Sequence, residues 1–519
     1  MVQYLITRRN SIMFLRQSVW AKGGDFSDPL LFWYAKGVAE LMKRPLSDKT
    51  SWRFLAAIHG EDFSNNSGTS FWERYHYYTP GESLPSKAEQ DAFWNQCQHQ
   101  SWFFLPWHRG YLISLESIVR DAIVKLGGPS DWALPYWDYC NPSPTARGLP
   151  PAFSATTLPD GSPNPLFVQQ RYGAMVNPPT LPLPVDDVSL KNLNIIPYVG
   201  TSGGSPGFGG PKTAFHHGGG FSGGLESLPH NIVHVDVGQE YGGGAGLMAD
   251  PDLAGLDPIF YLHHANIDRL WALWLSLGDG RANPNDQSWL QGPVSRRFIM
   301  PMPNGQDWVY APKDVLIPEQ LGYRYDPLDN GDIVPLSSKS SRLEQLGLRA
   351  LVAPALPPAE PPSHTELLGA NDAIITLDSP QQSVIKLDHR MMQRSARGFK
   401  ADVLVESASQ EPDRFFLNLE SIRANREGLS LDVHLLLDTK EVRLAPLGLF
   451  GIKNASRQDL AHGGAGLTIV LDVTDEFDQL HQSKGIENLR DVVVKLTPRT
   501  ANTEGSGLSV ERISLYRQQ

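Results

Sequence analysis

The chain is poor in cysteine, with only Cys97 and Cys140 among 519 residues. Two thiols cannot staple a fold of this size, so its stability must come from buried apolar surface. No apolar run approaches the ~18 residues of a membrane-spanning helix. Positive charge is also in deficit: 45 Lys and Arg face 56 Asp and Glu, for a net charge of -11. That balance argues against a nucleic-acid or anionic-membrane partner. The N-terminus carries Arg8-Arg9, but Arg16 and Lys22 interrupt the apolar stretch beyond that pair, and no signal-peptide core is visible. The expectation is a cytoplasmic protein, with export on a partner protein left open.

Tryptophan is missing from the last 200 residues. All 13 lie at or before Trp308, and ten of the 15 histidines lie at or before His264. This skew predicts two kinds of domain. Residues 1–345 read as helices joined by long loops, with helical spacing over 28–44, 50–58, 87–100, 106–126 and 258–277. Asp28-Pro29 supplies a cap and a first-turn proline for the first helix. Eleven of the 25 residues from Gly200 to Gly224 are glycine, too many for a packed element. Residues 346–364 form a proline-rich linker built on VAPALPPAEPP. Residues 365–519 carry alternating β-branched runs separated by turn signals, which predict an antiparallel β-sandwich.

The chemistry lies in six histidines. His230 and His234 are four residues apart, so both imidazoles share one helical face. Adjacent His263 and His264 point about 100° apart on a helix and are not expected to share one metal. Asp268 lies one turn beyond His264, placed to orient its imidazole, so His264 is the expected ligand and His263 a buried neighbour. His99 and His108 would face apart on one helix, but Pro106 breaks it between them. His59, ending its own helix, completes a second set of three. Two imidazole-only groups, His59/His99/His108 and His230/His234/His264, suit copper or zinc and disfavour calcium or magnesium. A zinc hydrolase would keep a single open site, so a dicopper centre on a four-helix frame fits better.

These motifs resemble the type 3 copper family of tyrosinases, catechol oxidases and molluscan hemocyanins. The resemblance rests on IHG at His59, the Cys97-x-His99 and Trp107-His108-Arg109 pattern, PHNIVH at 229–234 and DPIFYLHHANIDRLW at 257–271. It reaches Tyr323 and Tyr325 in LGYRY and, more weakly, the tail, which is similar to that of plant-type polyphenol oxidases. It implies two copper ions with O₂ as cosubstrate and a small phenolic substrate. The implied reactions are ortho-hydroxylation of monophenols and oxidation of o-diphenols to o-quinones. Catechol or o-aminophenol oxidation without monophenolase activity is the alternative, and a hemocyanin-like O₂ carrier is the alternative of another class.

The resemblance also implies roles for individual residues. Cys97 is expected to form a thioether to His99. Glu226 and Asn231 match the pair that holds a water for deprotonating monophenols. The phenol ring is expected to stack on His264, with Val235 and Pro251 lining the entrance. Arg109 and Asp268 are expected to tie helices together through buried ion pairs. Leu449 and Phe450, in LGLFG, are expected to plug the cavity from the C-terminal domain. His216 and His217 are expected to lie in a solvated loop, and homo-oligomerisation is left open.

Overall fold

The structure is a computed structural model that describes residues 13–63, 70–171, 183–241, 244–327, 342, 346, 364–399, 413–437, 440–458, 464–499 and 503–519. Apart from Leu346 and His364, the proline-rich linker lies outside the described residues.

The principal helices of the first half are α1 (Pro29–Met42), α2 (Trp52–His59), α3 (Phe104–Lys125), α4 (Ile232–Gly238) and α5 (Ile259–Ser276). Asp28 caps α1 by accepting from Leu30 N–H at 2.9 Å, and Pro29 occupies its first turn. Ser51 caps α2 in the same way. Asp257 accepts from Ile259 N–H at the start of α5 and binds Arg171 through both carboxylate oxygens, at 2.6 and 2.9 Å. Helix α3 packs between α1 and α5. Eight tryptophans are almost wholly buried in this half, which accounts for their crowding ahead of residue 310.

Two helical expectations shift. The pattern over 87–100 yields a helix only at Lys87–Phe93, and His99 sits on irregular chain beyond it. Pro106 does not break a helix: it falls in the first turn of α3, where its missing N–H costs no hydrogen bond.

Strand β1 (Phe14–Arg16) pairs in parallel with Tyr323–Tyr325 and closes the helical half. Gly220–Phe221, within the glycine-rich stretch, is β2, and Tyr323–Tyr325 is β3. The second half contributes β4 (Thr365–Ala370), β5 (Ile375–Thr376), β6 (Gln381–Leu387), β7 (Arg414–Arg423), β8 (Ser430–Leu437), β9 (Lys440–Gly448), β10 (Leu467–Asp472), β11 (Asp491–Pro498) and β12 (Ser509–Gln518).

These strands form one hydrogen-bonded path, β9-β8-β11-β6-β4-β12-β7-β10-β2, with β5 on β12. Among the described residues the strands of the expected sandwich are joined in one continuous sheet. It is antiparallel except at its last member, where β2 comes from the helical half and pairs in parallel with β10. The run FKADVLVE, expected as a strand, lies beyond Phe399 outside the described residues. Each half has its own apolar core.

Candidate metal centre

Seven imidazoles converge at the junction of α2, α3, α4 and α5. His59 ends α2, His108 lies in the first turns of α3, and His263 and His264 lie on α5. His230 lies just beyond a kink at Leu228, whose backbone is extended (φ -146, ψ 121), and leads into α4, which carries His234. Their rings stand 4.5 Å apart, as the four-residue spacing requires. His59, His99 and His108 have ring centroids 5.2 to 5.8 Å apart. The two groups meet where His108 and His264 stack at 4.2 Å.

The hydrogen bonds of these rings share one polarity. Nδ1 of His59 donates to Pro251 O at 2.8 Å, of His108 to Phe104 O at 2.8 Å and of His234 to Met248 O at 2.7 Å. His230 Nδ1 donates to Asn231 Oδ1 at 2.8 Å. A carbonyl can only accept, so each of these rings carries its proton on Nδ1 and leaves a lone pair on Nε2. Among the described residues, Nε2 of all four, and of His99, His263 and His264, is buried without a hydrogen-bond partner. Burial, reinforced in most cases by neighbouring imidazoles, lowers the pKa of all seven; His59 and His230 fall to about 3. Neutral rings with inward, unsatisfied Nε2 atoms are what a metal of intermediate softness requires. Ligand atoms of His230, His234, His263 and His264, and of His59, His108 and His264, lie within 4.8 Å of one another.

Asp268 does not orient His264. Its carboxylate accepts from Arg109 Nε at 2.5 Å, Tyr325 OH at 2.6 Å, Tyr323 OH at 2.7 Å and Arg16 Nη1 at 3.4 Å. Two buried guanidiniums outcompete a neutral imidazole for it, and among the described residues neither nitrogen of His264 has a hydrogen-bond partner. The expected Arg109–Asp268 pair is present and links α3 to α5, with Arg109 also 3.7 Å above the Trp271 ring. His263, expected as a mere neighbour, holds Tyr139 OH at 2.9 Å through Nδ1 and keeps its Nε2 unpaired.

Glu226 and Asn231 are both buried, and among the described residues no hydrogen bond joins their side chains. Glu226 accepts from Gln100 N–H with both oxygens, at 2.8 and 3.0 Å. Burial pushes its carboxyl up to about 8, against the pull of the Gln100 and Gly223 amides. Cys97 Sγ lies 3.4 Å from His99 Nδ1 and 3.2 Å from His217 Nδ1. His217 is therefore no solvated residue: it is half-buried and also meets Cys97 O at 3.0 Å.

Phe450 fills the space between the two groups. Its ring stacks on His234 at 3.9 Å and 16°, and its edge contacts His99 and His230. Leu449, paired with Phe450 in the expectation, points instead into the core of the second half. Phe450 packs in the core of the first, although it follows β9 in the chain. Gly448 lets this loop approach α4, because a Cβ there would lie 2.5 Å from Ile232 Cα. Gly451 turns the chain at φ +80, and Glu427 then accepts from Gly451 and Lys453 N–H at 3.0 and 2.9 Å. Asn454 reaches back to Asp252 at 3.2 Å.

Residues 49–192 and 190–277 match the family model of the common central domain of tyrosinase. Tyrosinase HcTyr1 of Hahella sp. (strain CCB-MM4) is 33% identical, over 97% of this chain and 99% of its own length. The chain belongs to the tyrosinase family. As a member it is a copper-dependent oxidase of phenols that uses O₂, and its histidine cluster fits that metal. The latent form of polyphenol oxidase from Prunus armeniaca is 32% identical over 44% of this chain and 38% of its own. The structure of latent apple tyrosinase shares the fold, with TM-score 0.59, 20% identity and 99% of each chain covered. Residues 364–518 of the chain match a model described only as a domain of unknown function.

Gln100, Ser222, Tyr139 and His217 do not stand out in the sequence as site residues. The first three carry no recognisable spacing. His217 is visible, but its glycine-rich surroundings point to solvent.

Proposed function

We propose that this tyrosinase hydroxylates monophenols at the ortho position and oxidises o-diphenols to o-quinones. Phe450 holds the chain in a latent state. The observation that carries this reading is the Phe450 ring stacked on His234, because the cavity accepts one aromatic ring against a candidate ligand. In this reading His59, His99 and His108 hold one copper, and His230, His234 and His264 hold the other. Bound copper supplies the activation of O₂. The carbonyl acceptors on Nδ1 fix the ring orientations, and the apolar walls exclude water. Cys97, beside His99, is the candidate for a thioether that would immobilise that ring.

Glu226 is the group that accepts the phenolic proton, through a water held with Asn231. Glu226→Gln is expected to lower monophenol turnover by at least about tenfold while leaving catechol turnover near its original rate. Initial rates on tyramine and 4-methylcatechol after copper reconstitution test this. Equal loss on both substrates would sink the assignment. Turnover of the catechol alone by the parent chain would leave a catechol oxidase.

The ligand set has its own test. His264→Ala is expected to reduce bound copper from two ions to one per chain, whereas His263→Phe retains both, as measured by atomic absorption. The reverse result would place His263 in the ligand set.

A further inference from the structure

The glycine-rich segment beside the second histidine group is held from two sides, and one of them is the C-terminal domain. On its inner side, Asn231 Nδ2 donates to Ser222 Oγ at 3.3 Å. Asn231 Oδ1 in turn accepts from His230 Nδ1 at 2.8 Å. One hydrogen-bonded chain thus runs from a loop hydroxyl, through a single amide, to a candidate ligand ring. Gly219 N–H also donates to Gln100 Oε1 at 3.0 Å, one residue beyond His99.

On its outer side the same segment completes the sheet of the other domain. Gly220 pairs with Leu467 and Phe221 with Thr468, and Gly220 N–H donates to Gly466 O at 3.2 Å. A second tie lies further back: Ser205 N–H donates to Gln518 Oε1 at 3.0 Å. A Cβ on Gly204 would lie 2.8 Å from the Gln518 side chain, so the segment is pressed closely onto β12.

We propose that Ser222 is a positioning residue for His230, and that the C-terminal domain holds Ser222 in place through β10 and Gln518. A ligand imidazole binds well only when its Nδ1–H is fixed by a partner that is itself fixed. Asn231 is that partner, and Ser222 occupies the amide group that would otherwise be free to turn. A stretch with eleven glycines in 25 residues loses much backbone entropy on ordering and does not hold a hydroxyl unaided. Pairing with β10 and the Gln518 contact supply the order. The domain then acts on the centre through two separable contacts: Phe450 keeps substrate out, and β10 with Gln518 supports the frame of His230. The inference rests on His230 being a copper ligand.

The test measures copper loss from the full-length, copper-loaded chain to the coloured Cu(I) chelator bicinchoninate under reducing conditions. Ser222→Ala is expected to release one copper about tenfold faster and the other at the parent rate, with Ser222→Thr restoring slow release. A merely structural role would speed both coppers and would not be rescued by threonine. Gln518→Ala, which removes the acceptor of Ser205 N–H, is expected to speed the same copper. Combining it with Ser222→Ala should add nothing further, because both act through one hydroxyl. Parent-rate release from Ser222→Ala, or additive effects in the double variant, would overturn the proposal. Two coppers retained by His230→Ala would instead overturn the ligand assignment, and the proposal with it.

Discussion

Phe450→Ala is expected to raise kcat/KM for a small catechol by about 10- to 100-fold in the intact chain. A substrate ring must take the place that the phenyl ring holds on His234. Burying a phenylalanine side chain stabilises its docked position by about 1.5–3 kcal/mol, and that is the disadvantage each substrate faces. Removing the ring while keeping the fold of its loop isolates this term. The loop is anchored independently, by Glu427 on the Gly451 and Lys453 amides and by Asn454 on Asp252. The neighbouring substitution gives the contrast. Leu449→Ala removes a buried side chain from the C-terminal core and is expected to cost about 2–5 kcal/mol of stability there. Steady-state kinetics on 4-methylcatechol and thermal unfolding separate the two outcomes. An activity of Phe450→Ala equal to that of the parent would refute the plug.

Asp268→Ala is expected to be the most damaging change to the helical half, at about 3–5 kcal/mol. Its carboxylate neutralises Arg109 and takes part in holding Arg16, and both guanidiniums are fully buried. Truncation would leave Arg109 without its ion pair and Tyr323 without the carboxylate that accepts its hydroxyl, while Tyr325 would keep Ala265 O as acceptor. Burial alone would raise the Asp268 pKa, but Arg109 and Arg16 outweigh it and hold the carboxyl below its usual range. A carboxyl with a depressed pKa contributes stability above its unfolded value of about 3.9, and that contribution is lost as pH falls through the folded value. The parent chain should therefore lose stability below about pH 4 more steeply than Asp268→Asn, which keeps the acceptor but has no proton to gain. Chemical unfolding midpoints measured from pH 3 to pH 7 check both statements. A midpoint for Asp268→Ala within error of the parent would show that the ion network carries no net stability.

The spacing of His230 and His234, the Asp-Pro start of α5 and the aromatic-rich helices were legible because their causes are local. A four-residue interval puts two rings on one face, and a capping carboxylate followed by proline starts a helix wherever it occurs. Sequence patterns misled where distant groups compete. Asp268 sits one turn from His264, yet two arginines from α3 and β1 take its carboxylate, and nothing within the α5 sequence announces them. His217 looked solvated among glycines, but tertiary packing brings it to Cys97, 120 residues earlier. Leu449 and Phe450 are adjacent and equally apolar, and only the turn after Gly448 sends one into each core.

The amino-acid sequence by itself determined the chemical character of this protein: a histidine-rich first half, no thiol framework and a tryptophan-free second half. Periodicity and capping are short-range, so a linear reading captures them. The tertiary structure decided which nitrogen each histidine presents, which carboxylates remain available to them, and that the second domain reaches the centre through Phe450 and β10. Those outcomes depend on which buried groups outcompete others for a partner, and that competition exists only once the chain has closed on itself.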